Sequence, residues 1–359
     1  VRIAVLGGGH GAYAAAADLA EQGHAVRLWR RDRAALAPLL EQGGITLKDH
    51  RGRRRVALEM AGAAIAEAVR DAELILVPVP AFAQLDIASA LAPHLHDGQV
   101  IFLPPGTFGA YAMAAELRRA GCTANIRLAE TGTLPYLARK HGPVEIAITT
   151  RATRLPTGVF PARAAPEVLA VIARAYPAIE PAGDALSGAL MNAGPIIHPP
   201  LILMNAGPLE HFERWDIHNE GTQPSIRRVT DALDAERIAL REALGYPPPH
   251  FPLSDHYTGD RWMYGNAHDK LVDSGDWREH IDLTTHRYMV EDVAYGLAFL
   301  VSVADWAGVK APVAGGLLAI ATAVTGQDFR KGPRTLEALG LAALDRQGLA
   351  ARLDRGFAD

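Results

Sequence analysis

The residues with the clearest chemical meaning stand near the start of the chain. An apolar run, Val1–Leu6, leads straight into Gly7-Gly8-Gly9-His10-Gly11-Ala12. The pattern is G-x-G-x-x-A on Gly7, Gly9 and Ala12. Gly7 permits a tight turn, Gly9 lets the backbone approach a bulky anion, and a small residue at Ala12 lets a helix pack closely on a strand. The helix that opens at His10 and Gly11 points free N–H groups and its positive dipole end at phosphate. The glycine pattern is informative only where a strand precedes it and a helix follows, and both signals are present. The chemistry is capture of a dinucleotide pyrophosphate.

The end of the next strand bears on which dinucleotide. An acid about 20 residues past the glycines would bind the ribose 2′-hydroxyl of NAD. The sequence instead reads Trp29-Arg30-Arg31-Asp32, with Arg30 at the acid's place. Paired guanidiniums suit a 2′-phosphate through charge-assisted hydrogen bonds. The reading favours NADP(H). NAD(H) stays open if Asp32 reaches a ribose hydroxyl, and both arginines pointing into solvent is the bland alternative.

These groups need a scaffold. Ala25–Trp29, Leu74–Pro80, Val100–Pro104, Ala124–Ala129 and Val144–Thr149 read as strands, with His10–Glu21, Ala81–Leu95, Tyr111–Ala120 and Ala165–Tyr176 as helices between or after them. Strands alternating with helices imply a parallel sheet covered on both faces. Ligands bind such sheets at the carboxyl ends of the strands. The turns at Pro78-Val79-Pro80 and Pro104-Pro105-Gly106-Thr107 therefore line the cleft, or simply terminate strands. Beyond about residue 185 strand signals fade. Ser225–Ala243, Val290–Ala307 and Ala314–Val324 read as helices. The expectation is an α/β chain with a dinucleotide-binding domain over 1–185 and an all-helical domain over 186–359.

Composition sets bounds. The chain has 359 residues, 49% hydrophobic and 21% charged, with a formal net charge of −4, so no global charge points to nucleic acid or an anionic membrane. The basic run Arg51–Arg55 is placed between short strands, as a solvated face rather than a nucleic-acid patch. No basic leader precedes Val1–Leu6, so no secretory signal is read. The single cysteine, Cys122, allows no internal disulfide and fits a reducing, cytoplasmic compartment. The stretch Ala185–Leu209 has no charged side chain, but its prolines and asparagines argue against a membrane helix. It reads as a buried, irregular segment near a site. Among 14 histidines there is no H-E-x-x-H, and one cysteine cannot build a zinc centre, so no metal site is expected. No G-x-S-x-G serine signal occurs.

Several separated segments, taken in order, resemble the opine dehydrogenases. Glu130-Thr131-Gly132-Thr133-Leu134-Pro135-Tyr136 is similar to that family's E-T-x-T-L-P-Y. Asn192, His198-Pro199 and Asn205-Ala206-Gly207 resemble its N…HP…NAG stretch. Asp234-Ala235-Glu236-Arg237 resembles its D-x-E-R helix, and Glu291-Asp292-Val293 with Tyr295-Gly296-Leu297 its E-D-V-P-x-G-L segment. Ala294 departs from the proline of that pattern, and Gly132 falls in its variable slot.

The resemblance implies a Rossmann domain followed by a helical domain with substrate between them. It implies reductive condensation of an amino acid with an α-keto acid, with NADH or NADPH as hydride donor. It also implies a catalytic dyad on His198 and Asp292. The pairing suits the chemistry. Histidine exchanges protons near neutral pH, and a carboxylate on its other ring nitrogen fixes the tautomer and stabilises imidazolium. Glu130 is placed among the cofactor-binding residues. Asn192 either bonds nicotinamide or keto acid, or satisfies loop backbone. Arg261, Arg287 and Arg139 are candidates to hold substrate carboxylates. Trp262 and Tyr264 wall the pocket or simply pack. His211 and His218 are read as surface residues.

Two other readings compete. Ketopantoate reductases and glycerol-3-phosphate dehydrogenases share the two-domain plan but use a catalytic lysine, for which Lys140 and Lys270 are candidates. A non-catalytic NADP(H)-binding sensor would not need the His198–Asp292 pair. A homodimer through the charge-free stretches Val293–Ala304 and Gly315–Val324, and burial inside the monomer, explain those helices equally.

Overall fold

The computed structural model describes residues 1–255 and 281–357. Arg261, Trp262, Tyr264 and Lys270 lie outside the described residues. The strands in chain order are β1 (Arg2–Leu6), β2 (Ala25–Trp29), β3 (Ile45–Asp49), β4 (Gly52–Val56), β5 (Met60–Gly62), β6 (Leu74–Leu76), β7 (Val100–Leu103), β8 (Arg127–Thr131), β9 (Tyr136–His141), β10 (Glu145–Arg151), β11 (Leu155–Phe160) and β12 (Ile179–Asp184). One sheet of eight strands runs β12-β11-β8-β7-β6-β1-β2-β5. Its pairings are parallel except β8 with β11. β6 and β7 are unbroken apolar runs because helices cover both faces of the sheet, and every side chain in them is at most 3% exposed. β2 and β6 flank β1 on opposite sides, so the chain reverses direction across the sheet there. The turns after β1, β6 and β7 meet at that crevice.

The helix His10–Glu21 is buried from Gly11 to Leu19. A helix apolar all round must be covered all round. A second sheet, β4-β3-β10-β9, supplies the outer cover. Alanines along the helix let both layers approach closely. This sheet corrects the sequence reading. Val144–Thr149 belongs to it as β10, antiparallel to β9, rather than to the parallel sheet. The basic run corrects likewise: Gly52–Val56 is itself a strand, hairpinned on β3. Arg51 and Arg54 are ion-paired with Glu21, Arg54 also with Asp49, and Arg53 with Glu145, while Arg55 donates to Gln42 O.

The last strand ends at Asp184, which accepts a hydrogen bond from Ser187 N at 2.9 Å and so caps the helix Ala185–Ala189. From there the described residues are helical. The segment Ala185–Leu209 is not irregular: Gly194–Met204 is a helix with Pro199 and Pro200 inside it. Two lost backbone hydrogen bonds are offset by tertiary packing, since both prolines are buried and the helix packs against its neighbours. Pro224–Ala243, Ala298–Ala307 and Pro312–Thr325 follow as α-helices, and Tyr288–Leu297 is π-helical. Ala298–Ala307 buries its apolar residues from Ala298 to Ala304 within the chain, while Pro312–Thr325 exposes Ile320 and Val324. The final stretch returns to the sheet half, where Phe357 packs its ring on Tyr111 and Phe160. Among the described residues no helix is long and apolar enough to cross a membrane.

Candidate active site

The site is built where the helix Gly194–Met204 crosses the π-helix Tyr288–Leu297. The crossing is close because two glycines remove side chains from it. A Cβ on Gly296 would lie 2.1 Å from Pro195 Cγ, and one on Gly194 would lie 2.4 Å from Asp292 Oδ1. That approach sets His198 Nδ1 2.8 Å from Asp292 Oδ2, across 94 residues of sequence. A carboxylate accepts, so Nδ1 carries the hydrogen and Nε2 is left to give or take a proton. The Tyr288 ring stacks on the imidazole, with centroids 3.8 Å apart and planes 10° apart. Tyr288 Oη in turn meets His218 Nε2 at 3.0 Å. His218 is therefore half-buried and tied to the dyad, which corrects its reading as a surface residue. His211 is exposed as expected. The π-helix runs unbroken through Ala294, at the family's proline position.

Bonds from the neighbours of the dyad reach the sheet half. Glu291, 5% exposed, accepts from Ala81 N at 3.2 Å and from Arg287 Nη2 at 2.9 Å. Burial lifts its carboxyl above the ordinary range, and Arg287 pulls it back. Arg334, 2% exposed, donates to Thr107 O at 3.2 Å, Ala81 O at 3.1 Å and Gln84 Oε1 at 3.0 Å. Burial brings its guanidinium down to about 10. Asn192 donates to Thr107 Oγ1 at 2.8 Å and accepts from Gly194 N at 3.0 Å. Its amide thus ties the turn after β7 to the start of the His198 helix. Thr107 and Phe108 are held at φ of 56° and 60°, a left-handed pair that these bonds over-determine.

The glycine loop forms at the carboxyl end of β1. Gly7, at φ 134°, makes the turn and donates its N–H to Trp29 O at 2.9 Å. Ala12 is fully buried close to Gly7, and Leu134 presses on Gly11, where a Cβ would lie 2.7 Å from Leu134 Cδ2. Pro78 and Val79 border the same loop. A Cβ on Gly9 would meet nothing within 4 Å, so that face of the loop is open. His10 Nδ1 accepts from Lys140 N at 2.7 Å, joining the loop to β9. An open glycine face at a helix N-terminus fits a dinucleotide pyrophosphate.

The cation expected from β2 reaches this loop. Arg30 Nη1 donates to Tyr13 Oη at 2.9 Å and to Ala35 O at 3.0 Å, and its Nε would lie 2.3 Å from a Cβ on Gly8. Arg31 points outward, its side chain 70% exposed. Asp32 is held as a local cap, accepting from Ala35 N at 3.1 Å, so Arg30 rather than Asp32 addresses the loop.

Glu130 requires a correction. It is 0% exposed and sits behind the turn rather than in the cleft. Its carboxylate accepts from Phe108 N at 2.7 Å and Ala110 N at 2.6 Å. Burial pushes it up to about 7 against those amides. Gly106 is glycine because Glu130 lies beneath it, 2.4 Å from where its Cβ would be. Pro105, joined to Pro104 by a cis peptide, begins the same turn. Gly132 also gains importance: its missing side chain would fall 2.2 Å from Met191 O.

The other recurring segments are structural joints. Asp234 accepts from Leu253 N at 2.6 Å, and Glu236 accepts from Val313 N at 2.7 Å and Ala314 N at 2.9 Å. Arg237 donates to Leu190 O, His250 O and Phe251 O. Tyr288 and Arg334 escaped sequence reasoning. Tyr288 carried a signal, since it lies one turn before Asp292 on the same helix, whereas Arg334 carried none.

With this geometry in view, known proteins agree. Residues 181–325 match the family model for the NAD/NADP octopine/nopaline dehydrogenase alpha-helical domain, and residues 3–140 match that for ketopantoate reductase PanE/ApbA. An opine dehydrogenase from Arthrobacter sp. (strain 1C) is 28% identical over 98% of both chains. The chain thus resembles the opine dehydrogenases over 98% of its length. As an opine-dehydrogenase-type chain it is an NAD(P)-dependent oxidoreductase, with a Rossmann-type α/β part followed by an α-helical part. Two solved folds agree with its own. Octopine dehydrogenase in complex with NADH and agmatine superposes with a TM-score of 0.71 at 18% identity, covering 100% of this chain and 99% of that one. NADP+-bound yersinopine dehydrogenase superposes with a TM-score of 0.63 at 17% identity, covering 99% and 98%.

Proposed function

We propose that this opine dehydrogenase relative condenses the amine of an amino acid with an α-keto acid and reduces the product, with NADPH preferred over NADH. The observation that carries the reading is the His198–Asp292 pair, bonded at 2.8 Å between two helices whose neighbours Asn192 and Glu291 hold the turns of the nucleotide cleft. The loop residues Gly7, Gly9, His10, Gly11 and Ala12 would hold the pyrophosphate through backbone, with Arg30 toward the 2′-phosphate. Pro78, Pro80, Pro105 and Gly106 border the cleft. The dinucleotide supplies hydride to the former keto carbon when bound.

The chain's own groups manage protons and position. The amine nitrogen bonds to the keto carbon and the keto oxygen leaves as water. Hydride and one proton then complete the secondary amine. As imidazolium, His198 delivers a proton from Nε2 to the departing oxygen and, once recharged, the proton that completes the secondary amine; in the oxidative direction the neutral ring takes that amine proton back. Asp292 fixes the tautomer and Tyr288 holds the ring plane. Arg287 gives one edge to Glu291 and offers the remaining N–H groups to a substrate carboxylate.

The match of residues 3–140 to ketopantoate reductases favours one second reading, a reductase of keto acids alone. Against it, Lys140 stands at the glycine loop rather than beside His198. Following NADPH absorbance with pyruvate and a panel of amino acids separates the two. Turnover that needs both substrates and vanishes in His198→Ala is the expected result. Turnover with keto acid alone, or tight NADPH binding with no turnover on any pair, would overturn the proposal.

A further inference from the structure

A second cation joins Arg30 at the glycine loop. Lys140 is carried there by β9, where it pairs with Ile146 of β10. Its ammonium lies 3.8 Å from the centroid of the Tyr13 ring and 3.4 Å from Gly8 O. Arg30 converges on the same two residues, donating to Tyr13 Oη at 2.9 Å and lying against Gly8. The groups facing Lys140 are Arg30 from the end of β2, Tyr13 and His10 from the helix, and the loop carbonyl of Gly8. None is a carboxylate, and among the described residues neither cation forms an ion pair.

Hydroxyl, carbonyl and ring satisfy the donors without neutralising the charge. Two like charges held together and partly desolvated are costly unless an anion joins them. Pyrophosphate is served by the helix N–H groups, whereas Arg30 leaves the end of β2, where the adenosine ribose hydroxyls belong. We propose that Lys140 and Arg30 together form the receptor for the 2′-phosphate of NADPH, so that the small sheet serves cofactor selection. The inference rests on the glycine loop being the dinucleotide site.

The electrostatics agree. Burial, with Arg30 adding repulsion, brings Lys140 down to about 8. A phosphate between the two cations raises it again. Binding strength contributed by Lys140 is then full below about pH 8 and is lost as pH rises through the higher value of the complex.

The test is fluorescence titration of the full chain with NADPH and, separately, NADH. Lys140→Met is expected to weaken NADPH about tenfold or more, the worth of one charge-assisted hydrogen bond. NADH should change by no more than about twofold. Lys140→Arg should restore NADPH binding, and it should also remove the weakening that wild type shows above about pH 8. Equal loss of both nucleotides in Lys140→Met would place Lys140 at the pyrophosphate or in a structural role and overturn the proposal. Unchanged NADPH binding would overturn it as well. A wild-type chain that binds neither nucleotide would instead remove the reading of the loop itself.

Discussion

Replacing Asp292 by asparagine keeps the side chain's shape and removes its charge. Asp292 is 7% exposed and lies 2.8 Å from His198 Nδ1, so the bond is charge-assisted and weakly screened. Such bonds contribute about 1.5–3 kcal/mol, and each ~1.4 kcal/mol is a factor of ten in rate. Asp292→Asn should therefore lower kcat about 10- to 150-fold. The amide adds a second effect in the same direction. It can present N–H to Nδ1, which keeps that nitrogen from carrying a hydrogen and so disfavours the imidazolium that has to deliver a proton from Nε2. NADPH affinity should hold within about twofold, because the glycine loop belongs to the sheet half. The assay is steady-state NADPH oxidation with both substrates, paired with direct NADPH titration. A folded Asp292→Asn chain whose kcat stays within about twofold of wild type would refute the dyad.

Three further outcomes follow from the geometry. Gly9→Val should abolish tight binding of both nucleotides while leaving Tm unchanged, since Gly9 has φ −84° and a Cβ there meets nothing within 4 Å. A fall in Tm would show that the loop face is not open. Gly132→Ala should cost about 1–3 kcal/mol, seen as a Tm lower by several degrees, because its Cβ would sit 2.2 Å from the Met191 carbonyl oxygen. A neutral result there would mean the two backbones separate easily. Glu130, raised from 4.5 to about 7, holds its proton more tightly in the folded chain. Stability from it is full below the lower value and is lost as pH rises to the higher one. Wild type should therefore lose about 3 kcal/mol relative to Glu130→Gln across that window in denaturant titrations. Parallel pH curves would contradict the buried, titrating carboxyl.

What local pattern encodes was legible in the sequence. The helix His10–Glu21 and β2 fall at the expected residues, because glycines punctuate an apolar period that needs no distant partner. The turns after β6 and β7 were also legible, since prolines end apolar runs. The small sheet was not, nor was the edge strand of the large one. β4 of the small sheet is Gly-Arg-Arg-Arg-Val and β12 of the large sheet contains Pro181 and Gly183, so neither shows the alternation of a strand. Pairing across the fold decides both, with β4 also helping to cover an alanine helix. The same holds for Pro199 and Pro200, whose local cost predicted irregular chain and whose burial against neighbours makes helix.

For the candidate site, the sequence by itself determined the loop chemistry, the arginine where an acid was expected, and the candidate dyad through its family pattern. Only the tertiary structure decided which groups meet. Two glycines bring the helices of His198 and Asp292 together, and Glu291 and Arg334 connect those helices to the turns of the cleft. It also moved Glu130 behind its turn and brought Lys140 to the loop. The physical reason is that hydrogen bonds and charge contacts act over a few ångströms in space, between residues whose separation along the chain leaves no local trace.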